Sequence, residues 1–199
     1  DCRARSSSRS WTTQESCPCL RGQSSGPKVS CSPTYDLAGD ETAEQILSTL
    51  VERFDESAQS LDLVARADEI GRTPYEVLIV ASLVQAEVLP EDMRKAAAVV
   101  YNRLDDGMPL QFDSTVSYAL GITELQLSAE QLETESEYNT YQNTGLPPTP
   151  INSPGEAALE AALDPAKAKW LYFVTVNPDT RETKFARDYD RFLKLKSQL

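Results

Sequence analysis

Among the side chains able to do chemistry, Glu87 occupies the most suggestive position. Val80, Leu83 and Val84 precede it by seven, four and three residues, the spacings that place side chains on one stripe of a helix. Pro90 ends that helix, which sets Glu87 in its last turn. A carboxylate there faces the negative end of the helix dipole and lies beside apolar groups, and both effects raise its pKa. A carboxyl group still protonated near neutral pH is what general-acid catalysis requires. The plainer alternative is a glutamate that simply reaches water from a helix end.

The chain has no histidine, which excludes Ser-His-Asp and Cys-His catalysis and every histidine metal site. Acid–base work falls to carboxylates, lysine or tyrosine. A formal charge of −12 argues against a nucleic-acid partner held by counterion release. There is no apolar run long enough to span a membrane and no signal-peptide pattern. The 199 residues suffice for one domain with a real core.

Several elements must position Glu87. Thr73-Pro74-Tyr75-Glu76 is a capping-box start with proline at the first helical position, and the helix that follows is apolar nearly all round, so it should be buried. Thr42-Ala43-Glu44-Gln45 opens an earlier helix with Ile46, Leu47, Leu50, Val51 and Phe54 on one face. A short helix, about Leu61 to Ile70, closes at Gly71. After Pro90 another runs with Met93, Ala96, Ala97, Val100 and Leu104 inward to a cap at Gly107 and packs on the central helix as a hairpin. Met108 to Asp113 reads as a connector, about Ser114 to Leu120 as a short helix, and Ser128 as the cap of another. The proline-rich stretch Gly145 to Gly155 is extended and rigid, either a plain connector or the wall of a groove. A helix from Glu156 to Leu163, a strand from Trp170 to Val176, a turn at 177–180, a returning strand from Glu182 to Ala186 and a last helix from about Asp188 to Lys196 complete the chain. The fold class is α+β, mainly helical with a small antiparallel β-sheet.

Residues 1–32 differ from the rest. They hold all four cysteines, nine serines and a net charge of +3, with no hydrophobic period, so no packed structure is expected there. Cys17-Pro18-Cys19 lacks the spacing of a zinc knuckle. The chain therefore divides into a disordered or non-native head, 1–32, and a domain over 33–199.

Ala81-Ser82-Leu83-Val84-Gln85-Ala86-Glu87, Tyr101-Asn102-Arg103-Leu104, Gly107 to Gln111 and Asp113-Ser114-Thr115-Val116 occur in order, followed by YNTY at 138–141, GLPP at 145–148, INSPG at 151–155 and LYFV at 171–174. In this combination the chain closely resembles the MltG/YceG-like endolytic murein transglycosylases. The resemblance implies cleavage of the β-1,4 bond between N-acetylmuramic acid and N-acetylglucosamine within peptidoglycan strands, leaving 1,6-anhydro-muramoyl ends, without cofactor or metal. One glutamate suffices: it protonates the leaving oxygen, then takes the proton of the sugar's own 6-hydroxyl as the ring closes. Hydrolytic glycosidases, in which water attacks, divide such work between two carboxyl groups. By motif match the catalytic glutamate is Glu87. Many relatives carry an acid two positions earlier, where this chain has Gln85, which leaves only Glu87 for the chemistry.

The resemblance also places Asn102, Gln111, Asp113, Tyr138, Asn139 and Tyr141 along the groove, with Asp113 as a second carboxylate able to tune Glu87 or stabilise positive charge at the sugar carbon. Asn102 and Arg103 could equally just brace a helix, and Tyr141 could be core. Relatives often have histidines near Lys184-Phe185-Ala186, which are lacking here. They are also usually membrane-anchored, with an extracytoplasmic catalytic domain, a small LysM-like domain and peptidoglycan synthases as partners. This sequence shows neither the anchor nor a signal, so a catalytically inactive glycan-binding fragment of a truncated gene is the alternative reading.

Lys28-Val29-Ser30-Cys31-Ser32 is what codons for Glu-Gly-Phe-Leu-Phe yield when read one base late, and family members carry such a sequence just before their TY motif, here Thr34-Tyr35. The head is therefore expected to be a misread frame. Sequencing the locus should reveal the shift; an intact upstream frame encoding these residues would refute it.

Overall fold

The computed structural model describes residues 41–123, 127–177 and 180–197. Its centre is α3 (Pro74–Glu87), with both halves of the Thr73/Glu76 capping box formed and proline in the first turn. Val77, Ile79, Val80, Ala81, Ser82, Leu83 and Val84 are all buried, as an apolar circumference demands. A 3-10 turn at Pro90–Asp92 leads into α4 (Met93–Asp105), which packs against α3 as the short link requires.

The most extensive helix partner of α3 is α7 (Glu156–Leu163), far away in sequence. Ala158, Ala161 and Ala162 let its backbone come close, and Leu159 and Leu163 fill the space beside them. The Tyr101 hydroxyl of α4 donates to Ala162 O at 3.0 Å, and Arg94 grips Asp164 just beyond the end of α7. Three helices thus share one core, with α2 (Leu63–Glu69) added through Leu63 and Ala67.

Among the described residues the sheet is a single antiparallel pair, β1 (Tyr172–Asn177) and β2 (Glu182–Ala186), with Phe173 opposite Phe185 and a bulge between Thr175 and Asn177. Trp170 falls just outside β1, its ring 5.4 Å from that of Phe185. The fold is α+β, mainly helical with this small sheet. α8 (Tyr189–Lys196), capped by Asp188, lies over it through Tyr189 and Phe192 against Tyr172. Among the described residues no helix is long and apolar enough to cross a membrane.

α1 (Ala43–Ser60) forms with its predicted capping box, and none of its residues is buried. Leu47 is 63 % and Val51 59 % exposed, so the apolar face meets no core among the described residues. The sequence period dictated a helix with a stripe; it carried no information on what the stripe would meet. The head, 1–32, lies outside the described residues.

Buried Arg103 ties helix to loops. Its Nε donates to Leu171 O at 2.6 Å, and its Nη1 to Pro109 O at 3.1 Å and Leu110 O at 2.7 Å, with the guanidinium over the Tyr172 ring. Gly107, at φ +66°, lets the chain leave α4 sharply enough for those carbonyls to turn back. A lysine ammonium cannot span the same acceptors. Arg103→Lys should therefore cost about 2–3 kcal/mol in chemical denaturation; unchanged stability would show that the fork is dispensable.

Candidate active site

Glu87 is the last residue of α3, and the chain becomes extended at Val88. Its Oε1 accepts from Ser114 Oγ at 2.5 Å. Ser114 stands in the first turn of α5 (Asp113–Leu120), and its backbone N–H also favours the ionised carboxylate. The carboxyl thus lies between two helix ends of opposite sign, the C-terminus of α3 and the N-terminus of α5. Sequence reasoning saw only the first.

Burial pushes the Glu87 pKa up to about 7. The Ser114 hydroxyl and N–H oppose the rise, whereas the neighbouring Asp113 charge adds to it. The direction is the expected one, with desolvation as the principal cause. With Oε1 accepting from Ser114, the proton of the neutral carboxyl belongs on Oε2.

Asp113 is exposed, and its Oδ1 accepts from the Tyr141 hydroxyl at 2.5 Å. Burial, then the bond to Asp113, keeps the Tyr141 phenol protonated well above its usual range. Glu87, Asp113 and Tyr141, chosen from sequence, are thus brought together.

Gln111 lies two residues before Asp113 with its backbone at φ +56°, a left-handed conformation uncommon outside glycine. Its N–H donates to Thr140 O at 3.0 Å, Phe112 N–H donates to Thr140 Oγ1 at 3.0 Å, and Thr115 and Thr140 share a hydroxyl contact of 2.9 Å. The connector is therefore held over several residues, and the exposed Gln111 side chain leaves from a fixed point.

The other three candidates are differently placed. Tyr138 is half-buried, with its hydroxyl 2.8 Å from Thr149 Oγ1. Asn139 is fully buried; its amide donates to Leu132 O and Thr134 O and its carbonyl accepts from Tyr141 N–H, so it shapes the loop that carries Tyr141. Asn102 donates to Ala168 O and Trp170 O, bracing α4 against the approach to β1.

The proline-rich loop runs along α3. Tyr75 donates to Pro148 O, Ser82 Oγ accepts from Ile151 N–H at 3.1 Å, Asn152 donates to Ser82 O at 2.8 Å, and Gln85 Oε1 accepts from Gly155 N–H at 2.7 Å. Its backbone groups are met one by one from the helix surface, because no strand neighbours it among the described residues.

A profile of the YceG-like family matches residues 29–198. The chain belongs to that family. A Bacillus subtilis (strain 168) protein named endolytic murein transglycosylase is 34 % identical over 161 residues, 79 % of this chain and 44 % of that protein. A Streptococcus pneumoniae (serotype 2) protein of the same name is 33 % identical over 147 residues, 71 % of this chain and 26 % of that protein. The crystal structure of a yceG-like protein from Listeria monocytogenes superimposes with a TM-score of 0.76 at 36 % identity, covering 82 % of this chain and 53 % of the other. The chain thus spans less than half the length of these two curated relatives.

This YceG-like site holds one residue that sequence reasoning did not select, Ser114. It stood in view within Asp113-Ser114-Thr115-Val116, but a hydroxyl residue at a helix start is ordinarily read as a cap. Its partner lies 27 positions away, and no local pattern records such a contact. Among the described residues no group of three or more histidines, cysteines or acids is placed to hold a metal ion. The arrangement combines a half-buried carboxyl, one oxygen of which accepts from Ser114, with an exposed carboxylate beside it. It can hand over a proton near neutral pH and take one back.

The raised pKa carries a stability consequence. Below pH 4.5 Glu87 is protonated in both folded and unfolded chains, and it imposes no penalty. Between pH 4.5 and about 7 the unfolded chain releases a proton that the native one keeps, so stability falls as pH rises. Glu87→Gln should therefore stabilise the protein above about pH 7, by on the order of 3 kcal/mol, with the gain vanishing towards pH 4.5. Ser114→Ala should move the upper edge of this window to higher pH. Unfolding midpoints measured from pH 4 to 8 check both, and a gain independent of pH would contradict the assignment.

Proposed function

We propose that the chain is the catalytic portion of a peptidoglycan lytic transglycosylase, with Glu87 as its acid and base. The observation that carries the reading is the Glu87 carboxyl: buried enough to hold its proton to about pH 7, with one oxygen engaged by Ser114. Family membership and the names of the relatives support the substrate class.

The bond cleaved is the β-1,4 linkage between N-acetylmuramic acid and N-acetylglucosamine, within the strand. Glu87 Oε2–H protonates the bridging oxygen, the bond from that oxygen to C1 of the muramoyl sugar breaks, and the N-acetylglucosamine side leaves as an alcohol. Positive charge develops at C1, and Asp113, steadied by the Tyr141 hydroxyl, provides a negative charge near it. The 6-hydroxyl of the same sugar then bonds to C1 while its proton passes to Glu87. The glutamate returns to its starting form and no water is consumed. Gln111 and Tyr138 line the strand, whereas Asn102 and Asn139 hold the walls in shape.

The test is mass spectrometry of isolated glycan strands incubated with the protein. Strands with 1,6-anhydro-muramoyl ends should appear, with rates falling above about pH 7 as Glu87 ionises. Glu87→Gln should reduce the rate by at least about 100-fold while glycan binding persists. Reducing ends would mean that water attacks and would transfer a larger role to Asp113. Binding without cleavage by the folded, unsubstituted chain would favour an inactive glycan-binding fragment.

A further inference from the structure

Tyr118 takes no part in the chemistry above, yet it is set beside it. It follows Ser114 by four residues on α5, so it lies about 6 Å further along much the same side of the helix. Thr115 and Val116, on the same helix, are fully buried, whereas Tyr118 is 45 % exposed. Its ring is 5.0 Å from that of Tyr138 at an interplanar angle of 52°. Tyr138 is in turn anchored through its hydroxyl to Thr149 in the proline-rich loop. The hydroxyl of Tyr118 has no hydrogen-bond partner among the described residues, unlike those of Tyr75, Tyr101, Tyr138 and Tyr141.

An aromatic ring propped from one side and open on the other is a preformed platform. The negative face of its π system attracts the C–H groups that line one face of a pyranose, and the phenol can bond a sugar hydroxyl or acetamido group. With only two side-chain torsions, tyrosine loses little freedom when a ligand settles on it. A separation of about 6 Å from Ser114 is on the scale of one sugar residue. Stacking also suits a chain of net charge −12, which has little to gain from charge attraction to an acidic polymer.

We propose that Tyr118, backed by Tyr138, is a stacking subsite for an N-acetylhexosamine ring of the glycan strand, next to the sugars joined by the bond facing Glu87. The inference rests on the glycan-cleaving reading of that site. It assigns the rim of α5 the task of holding the strand in register while the bond is broken.

Calorimetric titration of the full chain carrying Glu87→Gln tests it, with the N-acetylglucosamine hexamer and peptide-free peptidoglycan strands as probes. Adding Tyr118→Ala should weaken binding about tenfold, as loss of one stacking contact implies, whereas Tyr118→Trp should keep it within about twofold. Equal affinity in the alanine variant overturns the subsite. If alanine lowers the unfolding midpoint, Tyr118→Leu decides, since it keeps bulk but has no π face. Weak binding in a stable leucine variant supports the proposal, and undiminished binding overturns it. If the Tyr118-intact chain binds neither probe and the unsubstituted chain cleaves no strand, the glycan reading itself falls and the subsite with it.

Discussion

The hydrogen bond from Ser114 to Glu87 joins the last residue of α3 to the first turn of α5, and the character of the site depends on it. Two opposed effects meet in that carboxyl. Burial raises the pKa, and the Asp113 charge adds to the rise. The Ser114 hydroxyl and N–H lower it. Together they place the group at about 7, where both forms are accessible. The contact also distinguishes the two oxygens, since Oε1 is the one that accepts from the Ser114 hydroxyl.

Such a balance needs a rigid frame, and the chain builds it without a large sheet. α3 is buried on nearly all sides by α4, α7 and α2, so the position of Glu87 is fixed by packing. The loops are then fastened by polar side chains reaching backbone groups. Arg103 collects three carbonyls from two segments, Thr140 meets the connector that ends in Asp113, and Asn139 fixes the turn carrying Tyr141. Loop backbone that cannot pair with a neighbouring strand must find such partners or water. The polar residues of the YNRL and YNTY motifs are largely those partners.

Much of this was legible in the sequence wherever the information is local. The capping boxes at Thr42, Thr73 and Ser128 all formed, because each is a contact within four consecutive residues. The stop after Glu87 and the strand pair near the C-terminus were legible for the same reason, through proline and side-chain type. What sequence could not show was pairing over distance. The exposed stripe of α1, the close packing of α7 on α3 and the carbonyls gathered by Arg103 depend on which surfaces meet. The site shows the same division. Glu87 was read from its own helix, whereas Ser114, Asp113 and Tyr141 act on it or on each other only because separate segments converge.

Gln85 illustrates what a side chain two residues from Glu87 can contribute without acid–base chemistry of its own. Its amide accepts from Gly155 N–H at 2.7 Å and donates to Ser153 O at 3.3 Å, so both of its functions are engaged by the proline-rich loop. A carboxylate in its place could accept the first contact but could not make the second. The amide thus secures the loop and leaves the balance at Glu87 to burial, Ser114 and Asp113. The proposed single-glutamate mechanism is consistent with that economy: a proton given to one oxygen of the substrate would be recovered from another, and no second acid would be required to activate water.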